Sequence, residues 1–457
     1  MHFRNGARRA RPKFIFATLV TLAVTAIASA GPGSAHKLKT LYSFCAQSGC
    51  TDGDEATSLT MDTSGTLYAT TNSGGDAFLG TVVEFVPDGR KWTYKRLYSF
   101  CAQAECADGF GPQARLIVDT AGNLYGTTFA GGAGGGGVIF ELMPDAARQN
   151  WTYKILYTFC LDHGFCLDGT QPAWAGLTYA GAVAGLPYDG VSPLYGSTSG
   201  GGRGGTKSSA GVGTVFTLTP AAHGKWKHKL IYNFCSDSDK ARCDDGGPSF
   251  TPAMDAEGGL YGTASGGTNF AGVVFALAPA TGKRKQSLLH TFGASGSGDG
   301  NSPGAGVMLD GSGTVFGTTS YGGENDTDYY GAGGGTLYAV GGSYGILHSF
   351  CAQTACADGE YPSGSLTVDS SGTVFGTTTS GGNTHNGSGG GVVFRRDADG
   401  TFTVLHDFCS LANCADGVNP TDGVILAPSG KLYGITRNGG ANQSEEVAGG
   451  TVFEIAP

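Results

Sequence analysis

No segment of the chain carries the 3.6-residue apolar period of an amphipathic helix, which excludes helical bundles and alternating α/β folds. HExxH pairs, phosphate loops and dinucleotide fingerprints in a βαβ setting are missing too, and with them the commonest metalloprotease, nucleotide and nicotinamide chemistries. A single GxSxG match, Gly341 to Gly345, joins two strand-like segments, whereas a nucleophile elbow needs a strand-to-helix turn. Positive charge is short: the formal net charge is −9 at pH 7. Nucleic-acid binding rests on Lys and Arg neutralising phosphates and is not expected. The one long apolar run, Phe14 to Ile27, lies at the start, behind Arg4, Arg8, Arg9, Arg11 and Lys13 and ahead of Ala28-Ser29-Ala30. That is the pattern of a secretory signal peptide over residues 1–30, with a retained anchor as the alternative; the Arg8-Arg9 pair is a poor twin-arginine match. Losing its five cations takes the charge from −9 to −14, an acidic exported chain.

What is abundant is repetition. A Leu/Val-Tyr/Phe-Gly/Ala-Thr/Ser core recurs at Leu67, Leu124, Leu194, Leu260, Val315, Val374 and Leu432, seven copies in all. A unit of this size cannot bury its own apolar faces, so the copies must stack into one continuous core over residues 31–457. In the second copy, four short strands are read: A (Leu116 to Asp119), B (Asn123 to Thr128), C (Gly137 to Leu142) and D (Trp151 to Phe159). In D, Tyr153, Ile155, Tyr157 and Phe159 alternate with wetter residues. Glycine is in excess, 81 of 457 residues, but it sits at turns and in the B-to-C loops between patterned strands. The expectation is all-β: a seven-bladed β-propeller of four-stranded blades, one large ring. A β-solenoid would want shorter, more uniform coils than the cysteine spacing of about 56 to 59 residues. The first strand, Lys37 to Phe44, is of type D and the last, Gly450 to Ile455, of type C, so pairing of N- and C-terminal strands should close the ring.

These residues resemble the choice-of-anchor tandem repeat GloVer-containing family, secreted bacterial proteins marked by an LYGTT segment, a GG pair and GxVFxL. Here they read Leu124-Tyr125-Gly126-Thr127-Thr128, Gly131-Gly132 and Gly137-Val138-Ile139-Phe140-Glu141-Leu142. The resemblance covers nearly all of the chain after residue 30. It implies secretion and a repeat fold but no activity, and the anchor helix of the family's name is not seen before Pro457.

Six cysteine pairs occupy the loop leaving strand D: Cys45 and Cys50, Cys101 and Cys106, Cys160 and Cys166, Cys235 and Cys243, Cys351 and Cys356, Cys409 and Cys414. An even count, one pair per copy and a leader argue for local disulfides; zinc is the alternative, but recurring histidine partners are missing. The fifth copy has Phe292-Gly293 instead. Directly after comes Asp-Gly in every copy, at Asp52, Asp108, Asp168, Asp245, Asp299, Asp358 and Asp416. Each aspartate either caps its own turn or joins a ring of seven carboxylates at the channel mouth. At about 8 Å apart such neighbours would repel by only about 0.5 kcal/mol in water, while one Ca²⁺ with bonds of about 2.3 to 2.6 Å could not bridge them. A second aspartate, as at Asp119, precedes the A-to-B turn and reads as turn chemistry.

His290, His348 and His406 take the place of Tyr42, Tyr98 and Tyr157 and read as packing residues of the outer strand. Trp92, Trp151 and Trp226 open strand D beside lysines, which discourage edge pairing or form a basic stripe. The third copy is longer, at Gly181 to Val191 and Gly201 to Gly213, and loops are where a repeat scaffold varies. Candidate ligand-binding residues are the seven aspartates together with Trp174, Tyr188, Arg203 and Lys207, expected on one face built from the D-to-A and B-to-C loops. An aromatic beside acids suits a polar extracellular ligand, a carbohydrate or a protein. The alternative is a glycan-active lyase or hydrolase using acids of that face. Neither a cofactor nor a metal site nor a membrane span of the mature chain is expected, and the ring should be a monomer.

Overall fold

The computed structural model describes residues 37–161, 166–172, 176–203, 211–235, 243–248, 250–279, 285–293, 297–324, 333–382, 389–443 and 448–456. The signal-peptide assignment, Trp174 and Lys207 lie outside them. The described residues form seven antiparallel sheets, each following the order A-B-C-D from the central channel outward, and the molecule is a seven-bladed β-propeller. Blade 1 has strands Asp54–Met61, Leu67–Ser73, Thr81–Asp88 and Lys91–Ser99. Blade 2 has Ile117–Val118, Leu124–Thr127, Val138–Pro144 and Trp151–Thr158, matching the four strands read from sequence. The ring closes as expected. Leu38–Ser43 pairs with Thr451–Ile455 in the register Leu38↔Ile455 to Ser43↔Thr451 and becomes the D strand of blade 7.

The repeat residues have readable jobs. In blade 2, Gly126 pairs with Phe140 across strands B and C, and a Cβ at Gly126 would lie 2.5 Å from the Phe140 ring. The glycine of LYGTT therefore makes room for the phenylalanine of GxVF. The second threonine of LYGTT meets the first residue of strand C, as in Thr71 with Thr81 at 2.8 Å and Thr436 with Thr451 at 2.9 Å. Apolar residues collect between neighbouring blades rather than within one: Tyr68 and Val82 of blade 1 pack with Phe100 and with Leu116, Leu124 and Phe140 of blade 2. Burial of this kind, at about 25 cal/mol per Å² of apolar surface, is what couples the blades.

Two features depart from a plain reading. Strand D is not strictly alternating, because each of the seven C–D pairings slips by one residue, at Leu41, Leu97, Leu156, Ile231, Leu289, Leu347 and Leu405. The extra residue is a β-bulge that re-aims the Tyr or His following it. Strand A is bent as well. In six of the seven copies the residue two beyond the Asp-Gly is left-handed: Glu55, Gln171, Ser302, Tyr361 and Asn419 hold φ between 54° and 59°, and in blade 2 the same place is Gly111; only the fourth copy, with Pro248 there, differs. That conformation costs an L-residue about 1–2 kcal/mol, and it points the N–H at the preceding blade. Glu55 donates to Gly449, Gly111 to Leu79, Gln171 to Gly136, Ser302 to Ala271, Tyr361 to Gly334 and Asn419 to Gly390. The proline that follows seats on the GxVF glycine of the preceding blade: Pro112 beside Gly80, Pro172 beside Gly137, Pro420 beside Gly391.

Candidate functional site

All seven Asp-Gly aspartates are held by their own loops and strand D. Tyr42 donates to Asp52 at 2.6 Å, Tyr98 to Asp108 at 2.7 Å, Tyr157 to Asp168 at 2.7 Å and Tyr232 to Asp245 at 2.9 Å. His290, His348 and His406 place Nε2 3.0 to 3.1 Å from Asp299, Asp358 and Asp416. Loop N–H groups complete the set, as from Ala102 and Gln103 to Asp108. Asp52, Asp108, Asp358 and Asp416 are fully buried, Asp299 nearly so, Asp168 and Asp245 partly. Of the two readings of these aspartates, the geometry matches the one that holds its own turn: a carboxylate so bonded organises the cysteine loop and turns little toward solvent. The histidines do more than pack, since they replace tyrosine as the aspartate's partner.

This pairing sets local electrostatics. Burial foremost, and then the adjoining aspartates, push the hydroxyls of Tyr42 and Tyr98 well above the ordinary tyrosine range. Burial would raise Asp358 and Asp416, but the histidine and backbone hydrogen bonds outweigh it and hold both below the usual carboxylate range. The aromatic partners also stack across blades: Tyr42 on Tyr94 at 4.8 Å, Tyr98 on Tyr153 at 4.3 Å and His290 on Tyr344 at 3.7 Å. All six cysteine pairs close within their own loops, Cys45–Cys50, Cys101–Cys106, Cys160–Cys166, Cys235–Cys243, Cys351–Cys356 and Cys409–Cys414.

The third-copy residues divide. Gly181 to Val191 lies between strands A and B, which puts it at the A-to-B end of the blade and not with the Asp-Gly loops. Tyr188 is fully buried there, edge-on to Tyr125 at 5.2 Å, and its carbonyl accepts from Thr120 of blade 2. It therefore packs against blade 2 at the A-to-B end and does not stand with the Asp-Gly loops, where it was expected. Arg203 is exposed in the B-to-C loop, with its N–H directed to Asn233 at 3.3 Å. Trp92, Trp151 and Trp226 each pack edge-on to the LYGTT tyrosine of the preceding blade: Tyr433, Tyr68 and Tyr125.

The central channel brings together residues that the repeat pattern does not single out. Its cavity of about 780 Å³ is lined by the inner strands of all seven blades. Across it, the Nε of Arg115 in blade 2 reaches both oxygens of Asp422 in blade 7, at 2.9 and 2.8 Å. Asp422 also accepts from the N–H groups of Leu59 and Gly423. Toward the Asp-Gly face a second chain runs over three blades: Gln113 donates to Asn72 at 2.8 Å, Asn72 to Glu55 at 2.8 Å, and Arg437 to Glu55 at 3.0 Å. Burial would raise Glu55, yet these hydrogen bonds and the Arg437 charge hold it below its ordinary value. Among the described residues, charge here is confined to blades 7, 1 and 2. Where Arg437 follows LYGIT, other copies carry Phe129, Ser199, Ser265, Ser320 and Thr379, and the place of Asp422 is taken by small residues such as Ala114 and Ala305. Such departures from the repeat are the signal from which these residues could be found.

A family model described as the Gloeobacter/Verrucomicrobia repeat matches residues 27–193. No curated protein matches the chain. Among solved structures it is similar to an oxidoreductase (glucose dehydrogenase) from Thermus thermophilus, at 13% identity and a TM-score of 0.38, covering 75% of this chain and 95% of that one. It is also similar to the holo form of the pyranose dehydrogenase PQQ domain from Coprinopsis cinerea, at 10% identity and a TM-score of 0.39, covering 93% of this chain and 98% of that one.

Proposed function

We propose, for a chain whose residues 27–193 match the Gloeobacter/Verrucomicrobia repeat, that it is an exported binding or structural module with a carbohydrate or protein ligand. The ligand sits at the channel mouth on the face of the D-to-A and B-to-C loops. The observation that carries this reading is the asymmetry of the channel: a ring needs only repetition to stand, yet Arg437, Asn72, Gln113, Arg115 and Asp422 break the repeat and converge on one cavity, with Glu55 bonded to Asn72 and Arg437. Such convergence of a few polar groups in a mostly apolar cleft is the usual form of a binding site. Trp174 supports it from sequence, falling between Pro172 and Gly176 in the run that corresponds to Gln113 and Arg115 of blade 2. Export is supported by the leader pattern and six disulfides. Among the described residues, no helix is long and apolar enough to cross a membrane.

An enzymatic reading has less behind it. The seven repeated acids are each tied up by hydrogen bonds within their loops, and Glu55 and Asp422 are each paired with an arginine. The test is binding of the exported chain to arrayed glycans and extracellular proteins. Arg437→Ala and Trp174→Ala should each weaken the captured ligand at least about tenfold, roughly 1.4 kcal/mol, with melting temperature unchanged. Full binding in both variants, with loss on altering the opposite-face residue Asp189, would overturn the choice of face.

A further inference from the structure

The chemistry of the ligand follows from the channel itself. Resting on the reading above, we infer that the channel takes the terminal residue of an uncharged saccharide, between the Arg115–Asp422 pair and the chain from Arg437 to Gln113. Charge is the first ground. Among the described residues, the ionisable side chains lining the cavity are Arg115, Asp422 and Arg437, and Glu55 joins them through its bond to Arg437. Two cations meet two anions at 2.8 and 3.0 Å, so the site has no spare charge to offer an ion. A ligand carboxylate would have to displace or lie beside Asp422 or Glu55, and Asp422 in particular is buried and would lose the arginine that compensates it. A hydroxyl requires neither.

Hydrogen-bonding capacity is the second ground. Gln113 Oε1, Arg115 Nη2, Ser363 Oγ and Thr421 Oγ1 belong to channel-lining residues, and each is a buried atom with no protein partner. One accepts, one donates and two do both; adjacent hydroxyls on a sugar ring donate and accept in turn and can answer all four. Side-chain adjustments on binding would bring these atoms to the ligand. The third ground is the wall. Leu177, Phe250, Met254 and Val307 line the same cavity and suit the C–H faces of a ring. Its volume of about 780 Å³ lies within the range of about 300–1,000 Å³ common for small-ligand sites.

Calorimetric titration of the full exported chain against neutral oligosaccharides of glucose, xylose, mannose and galactose, and against oligogalacturonate, tests the inference. A neutral sugar should bind, and Gln113→Leu and Thr421→Val should each weaken it about tenfold while leaving the melting temperature unchanged. Oligogalacturonate binding more tightly than every neutral sugar overturns the uncharged class but leaves the channel as the site. Failure of all the sugars, with a protein captured in an Arg437-dependent way, overturns the saccharide and keeps the binding face. Sugar binding indifferent to Gln113, Thr421 and Arg437 overturns both.

Discussion

At position 228 strand D carries histidine where blades 1 and 2 carry Tyr94 and Tyr153, whose hydroxyls donate to the backbone of Asp52 and Asp108. His228 stacks on Tyr157 at 4.4 Å, and its buried Nε2 has no partner. Burial pushes its pKa down from 6.5 to about 4, partly opposed by Asp168. The unfolded chain therefore takes up a proton below about pH 6.5 that the folded chain refuses until about pH 4. Stability present above pH 6.5 is lost across that window, by up to about 3 kcal/mol. His228→Tyr does not titrate there and can reach the Asp168 backbone as Tyr153 reaches that of Asp108. In urea unfolding at pH 7.5 and 4.5, the wild-type chain should lose markedly more stability than the variant. Equal losses would mean that the buried neutral imidazole is not the source. Asp358 and Asp416 act in the same direction at lower pH, but in both proteins alike.

At the scale of elements, the seam between blades is a proline on a glycine. Gly391 holds φ +90°, and a Cβ there would lie 2.1 Å from the Thr378 carbonyl and 2.8 Å from Pro420. Gly391→Ala should cost at least about 2 kcal/mol through overpacking and a disfavoured backbone, read as a lower denaturant midpoint. Gly345→Ala, on open strand D with nothing within 4 Å, is the control and should be nearly neutral. If the two behave alike, the seam is looser than drawn. Much of this was legible in sequence, because strand period, turn glycines and cysteine spacing are local. The Tyr/His–Asp pairs were not, since Asp-Gly reads equally well as a turn and the D-strand bulge that aims Tyr98 at Asp108 leaves no mark in an apolar alternation. Nor was the channel site, whose Arg115 and Asp422 stand 307 residues apart. The place of Gly181 to Val191 was available from strand order alone, as it falls between A and B.

For the whole molecule, the decisive contact is between its ends. Deleting residues 37–44 removes the D strand of blade 7 and exposes the Thr451–Ile455 edge, so it should lower the melting temperature far more than deleting 31–36. Comparable effects would count against closure as a stabilising element. The clasp spans nearly the full chain, and contacts of such separation form late because their loop-closure entropy is spent before they return anything. The ring therefore cannot shut until its final strand has been made, and until then Leu38–Ser43 is a strand without a sheet while blade 7 is a sheet without its outer strand. Neither half recognises which chain the other belongs to. The same six residues that lock one molecule could, at high concentration during folding, lock onto the next, and the route to a closed monomer is also a route to strand-exchanged assemblies.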